Sequence, residues 1–222
     1  MRMILLLSIL AISMNACSDQ ETAPIEVRKK TTTPDVPTSG DRDSWQRPQV
    51  LIGLMGEHLT GHTITVLFEG DGYFTFKLLE AGANVIAIGT DEDSIAALEA
   101  RKRELGYSDE RLQIRHSPDG MPVLGAAEAD VALMVHSYNT IAAPREFFKQ
   151  LREGLKEPRP LYLVEWMDRP TPIGPPRNER IPTQRMMENL TRSGYASVGA
   201  LGDKLPYQVL LFASDPIDME MP

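Results

Sequence analysis

The sequence predicts an α/β domain built on a seven-stranded sheet, mostly parallel, with a C-terminal antiparallel hairpin and helices on both faces. Three observations carry this. From residue 48 almost to the end, short apolar runs alternate with amphipathic helical patterns, as in strands joined by crossover helices. The apolar runs are continuous, as in strands buried on both faces. Only the last two are joined by a connection, around 203–206, too short for a parallel crossover, so that pair is expected to run antiparallel.

In chain order, a short helix follows Pro48, and strands are expected over 64–68, 84–88, 111–115, 130–136, 161–166, 196–200 and 208–213. A helix over 73–81 ends at Gly82 and another over 92–105 ends at Gly106, both glycines suiting a left-handed C-cap. Phe147, Leu151 and Leu155 set one apolar stripe on a helix before Pro158. Met186, Met187 and Leu190 do the same for a helix over 183–193, where methionine reads as core filling.

The first residues stand outside this domain. Arg2 gives a positive start, 4–14 an apolar stretch too short to span a bilayer, and Asn15, Ala16 and Cys17 a small-residue cleavage zone, so 1–17 reads as a secretion signal. The single cysteine sits where the cut is expected and has no second thiol to pair with. Met14 to Cys17 resembles a bacterial lipobox with Met14 where Leu is usual. That resemblance implies a lipidated Cys17, and Ser18 beside it implies anchoring at the outer membrane, in the periplasm. An ordinary signal peptide with an incidental thiol is the alternative.

Residues 18–44 are rich in Thr, Pro, Asp, Glu, Lys and Ser, which predicts a disordered linker, because too little apolar surface is present to offset the entropy of ordering. The globular domain is expected over 45–214 and a C-terminal tail over 215–222. A net charge of −8 argues against nucleic acid as a partner, since phosphate tracking needs a basic face. Arg28, Lys29 and Lys30 form the only compact basic run before the domain and read as solvated linker.

The glycine turn after the first strand reads Val66, Leu67, Phe68, Glu69, Gly70, Asp71, Gly72, Tyr73, Phe74, Thr75. Residues 170–176 (PTPIGPP) follow the fifth strand, and 205–208 (LPYQ) enter the last. In this order the pieces resemble small class I S-adenosylmethionine-dependent methyltransferases whose glycine loop reads roughly DxGxGxGYFT. The resemblance covers nearly the whole domain and implies a Rossmann-like methyltransferase sheet, S-adenosylmethionine as cofactor, and a small-molecule or envelope-associated methyl acceptor.

Gly70 and Gly72 keep the turn that lets backbone approach a cofactor. Two registers are open for the rest. Without a gap, Val66 takes the family's acidic position and Phe68 its first glycine, which puts a ring where the methionine portion of the cofactor is expected. With a gap, Glu69 is the acid and the loop is two residues short. At the end of the second strand the family's ribose-binding acid is replaced by Gly89. Asp91 lies two residues on, as a substitute ligand or as the cap of the next helix, the latter favoured. Asp119, in Ser117-Pro118-Asp119-Gly120, matches an adenine-binding acid loosely and a plain turn equally well.

His136 and Tyr138, at the carboxyl end of the fourth strand, are the candidate base and hydrogen-bond donor to an acceptor. His58, His62 and His116 lack metal-site spacing, so no metal is expected. GxSxG, P-loop and dithiol motifs are absent. Two functions remain: an envelope methyltransferase, or a non-catalytic lipoprotein that keeps the fold as a binding or scaffolding module.

Overall fold

A computed structural model describes residues 42–216. The expected signal sequence, Cys17, nearly all of the expected linker and most of the expected tail lie outside the described residues. The elements are α1 (Arg42–Gln46), α2 (Pro48–Met55), β1 (Thr63–Leu67), α3 (Tyr73–Glu80), β2 (Asn84–Gly89), α4 (Glu92–Leu105), β3 (Leu112–His116), β4 (Val131–Val135), α5 (Pro144–Gly154), β5 (Leu161–Trp166), α6 (Thr183–Arg192), β6 (Ser197–Ala200) and β7 (Gln208–Ser214).

The strands lie in the order β3-β2-β1-β4-β5-β7-β6. The first five run parallel, and β7 inserts antiparallel between β5 and β6. This is the arrangement expected from the sequence, and every expected strand is present within two residues of its expected bounds. The central strands read TITVL, VALMV and LYLVEW and are buried almost throughout, because helices cover both faces. On one face, Ile64, Val66, Val85 and Leu133 pack with Leu51, Phe74, Leu78 and Leu98 of α2, α3 and α4. On the other, Leu67, Ile86, Met134 and Leu163 pack with Phe147, Phe148, Leu151, Met186 and Leu190 of α5 and α6.

Three features were not read from the sequence. The domain begins earlier: α1 starts at Arg42, and Trp45 and Gln46 are buried at 3% and 1% exposure. It also ends later, because Asp215 is buried and bonded by Arg152 and Arg159. Both ends are held by ionic and aromatic contacts, which a search for apolar runs passes over. Third, residues 117–130, which connect β3 to β4, contain no helix. There Met121 and Leu124 pack on the core while Arg115 grips Glu128 through two bonds of 2.5 and 2.8 Å. That hydrogen-bonded guanidinium holds the Glu128 carboxyl down at about 2.

Candidate functional site

The turn from β1 into α3 is built around a carboxylate. Glu69 is 8% exposed and accepts from the backbone N–H of Phe74 and, at 3.1 Å, of Thr75, with the Thr75 hydroxyl at 3.0 Å. These are amides of the first turn of α3, which has no side-chain cap at Gly72. Glu69 therefore fills the anion-binding position at that helix terminus from within the chain. Burial, with Asp71 nearby, raises its pKa to about 7 despite the hydrogen bonds that favour the charged form. Gly70 and Gly72 have φ of +86° and +74°, as the turn requires. A Cβ at Gly72 would stand 2.4 Å from Leu98 and 2.9 Å from Phe76, so the turn is also pressed against α4.

Phe68 corrects the expected cofactor clash. Its φ of +58° turns the ring inward, where it is 5% exposed and packs against Phe147 of α5 with ring centres 5.7 Å apart. It is a core residue. Gly89 ends β2, and a Cβ there would stand 2.9 Å from Cδ1 of Ile95. The space beside the expected ribose acid is occupied by an aliphatic side chain.

The two aspartates expected as cofactor contacts do local work. Asp91 caps α4, accepting from the Ser94 N–H at 2.8 Å and the Ser94 hydroxyl at 2.7 Å, as the capping alternative holds. Asp119 accepts from the Ser117 hydroxyl at 3.0 Å and the Met121 N–H at 3.1 Å, closing its own turn.

His136 and Tyr138, expected to act together, are separated. Tyr138 is buried on the α5–α6 side, stacked on Phe148, with its hydroxyl accepting from Asn189 at 2.6 Å. It borders a cleft of about 370 Å³ with Asn139, Arg185 and Asn189. His136 turns the other way, stacking on Trp166 at 4.3 Å, while Nε2 of Gln208 donates to its Nε2 at 2.6 Å. That bond requires the neutral ring to carry its proton on Nδ1. Trp45 completes the group, 5.4 Å from Trp166 and 6.2 Å from His136, all three rings nearly parallel.

Residues 167–176 fold over Trp166, and a Cβ at Gly174 would stand 2.6 Å from its ring. The loop is drawn together by Arg180, 9% exposed, whose guanidinium donates to the carbonyls of Met167, Arg169 and Pro175 and to the Thr171 hydroxyl at 2.6 to 2.9 Å. Trp45, Trp166, Gln208 and Arg180 were not singled out from sequence. Two signals pointed to the first two: they are the only tryptophans, and Trp166 ends a strand at the ligand-binding edge. Among the described residues no cluster of His, Cys, Asp and Glu is arranged to hold a metal, and no helix is long and apolar enough to cross a membrane.

No family model matches the chain, and no curated protein matches it in sequence. Solved structures do match. A SAM-dependent methyltransferase from Aquifex aeolicus aligns with a TM-score of 0.71 and 19% identity over 80% of this chain and 94% of its own. An S-adenosylmethionine-dependent methyltransferase from Mesorhizobium loti aligns with a TM-score of 0.57 and 17% identity over 74% and 95%. A possible exported protein from Bordetella parapertussis aligns at 0.57 and 13% over 78% and 68%. The domain has the Rossmann-like class I methyltransferase fold.

Proposed function

We propose that this chain is an envelope protein on the methyltransferase fold that works as a non-catalytic binding module, tethered through a lipidated Cys17 at the outer membrane. The observation that carries the reading is Gly89 with Ile95 in the space beside it. Two ribose hydroxyls brought there meet no carboxylate, and each unpaired buried donor costs about 1–3 kcal/mol. Glu69, Asp91 and Asp119 are already committed to α3, α4 and a turn. The residues present do not fit S-adenosylmethionine.

A second reading, a methyltransferase acting on a small-molecule or envelope acceptor, is favoured by the left-handed Gly70 and Gly72 in a strand-to-helix turn on this fold. Calorimetric titration of the full chain with S-adenosylmethionine and its demethylated product separates the two. No binding heat is expected up to about 1 mM ligand, where affinity falls to about −4 kcal/mol. Gly89→Asp with Ile95→Ala is expected to create measurable binding. Micromolar affinity in the unaltered chain overturns the non-catalytic reading. Phe68 stays unaltered, since removing a buried phenylalanine costs about 3–5 kcal/mol.

A further inference from the structure

Helix α1 lies across the carboxyl edge of the sheet like a strap. At one end Arg42 pairs with Asp71 and stacks over the Tyr73 ring at 3.9 Å, and Asp43 bonds the Tyr73 hydroxyl and, at 3.1 Å, Lys77. At the other end Trp45 meets Trp166 and His136. The ring distances fix the arrangement. Rings on opposite faces of Trp166 would have centres at least about 7 Å apart, twice the contact distance between carbon atoms. Trp45 and His136 are 6.2 Å apart, so they lie on the same side of Trp166, next to each other.

This packing leaves polar groups unmatched. Among the described residues, buried Nε1 of Trp45 and buried Oε1 of Gln208 have no hydrogen-bond partner, the two residues being 3% and 1% exposed. A stranded buried donor and a stranded buried acceptor both weaken the docked arrangement. The strap is weakly self-supporting: five residues cannot hold a helix alone, and it joins α2 through Arg47 at φ +44°. Undocking α1 hydrates the Trp45 N–H and uncovers part of Trp166 beside Gln208.

We propose that the uncovered side of Trp166, bordered by His136 and Gln208, is a binding site for a planar nitrogen heterocycle carrying an N–H donor, with Trp45 as its built-in competitor. The ligand stacks where Trp45 now lies and gives its N–H to Oε1 of Gln208, the bond that Trp45 does not make. The inference rests on the binding-module reading and supplies its ligand class. Because Trp45 must leave, ligand affinity is set by the fraction of chains in which α1 is undocked.

Binding of 5-fluoroindole to the full chain, followed by ¹⁹F NMR, tests this, with near-ultraviolet circular dichroism reporting the coupling of the two tryptophans. The probe is expected to bind and to abolish the Trp45–Trp166 couplet at saturation. Arg42→Ala with Asp43→Ala leaves Trp45, Trp166 and His136 in place and is expected to tighten binding at least about fivefold by raising the undocked fraction. Gln208→Met is expected to weaken binding about tenfold, the value of one hydrogen bond to a buried acceptor. Absence of binding, a couplet that survives saturation, or a latch variant no tighter than the parent overturns the site. A chain that binds S-adenosylmethionine and still shows this exchange refutes the non-catalytic reading alone.

Discussion

Glu69 is a carboxylate that has given up its water for three hydrogen bonds from α3. Its pKa of about 7 in the folded chain lies above the ordinary value of 4.5, so between those pH values the folded state holds more protons than the unfolded one. Stability from this group is therefore complete below about pH 4.5 and is lost as pH rises through 7. The loss is about 3 kcal/mol at 1.36 kcal/mol per unit. Urea unfolding at pH 4.5 and 7.5 is expected to show that downward slope in the parent and a flatter one in Glu69→Gln. The sequence showed an acid in the turn without showing what it binds. Asp91 and Asp119 repeat the lesson, since Ser94 and Ser117 lie two or three residues away and capture them first. A side chain's type reveals its chemistry, but nearby backbone competes for it before any ligand does.

At the scale of elements, helix α4 was legible to the residue. Asp91 before Glu92, Lys102 and Arg103 in the last turn and Gly106 beyond it are mutually consistent end signals. Asp91→Ala is expected to cost about 1 kcal/mol in thermal unfolding, the usual value of a cap. Helix α1 was not legible, because its five residues carry one large apolar side chain, and its charged groups, Arg42 and Asp43, find their partners about 30 residues away. The helix-free 117–130 crossover was equally hidden, since its shape depends on Arg115 reaching Glu128. Loop 167–176 owes its form to the fork of Arg180. Arg180→Lys keeps the charge but lacks that geometry. It is expected to speed amide exchange in the loop and to lower stability by about 2 kcal/mol.

For the whole molecule, the mostly parallel sheet with an antiparallel last pair followed from pattern, because parallel crossovers and one short final connection admit few arrangements. The closure of the domain did not. Asp215 receives two bonds of 2.8 Å from Arg152 and one of 2.5 Å from Arg159, joining α5 and the approach to β5 to the chain beyond β7. Asp215→Ala leaves Arg152 without its carboxylate and Arg159 with Glu157 alone, and is expected to cost about 3 kcal/mol, measured by urea denaturation. The position of β7 has a consequence for how the protein is made. It is the last strand among the described residues, yet it is an inner one, and β6 touches the sheet only through it. Until residues 208–214 are synthesised, β5 presents an open edge and β6 has nowhere to pair. The sheet closes only once β7 has been made, and a chain that stops before residue 208 would lose β7 and leave β6 without a partner.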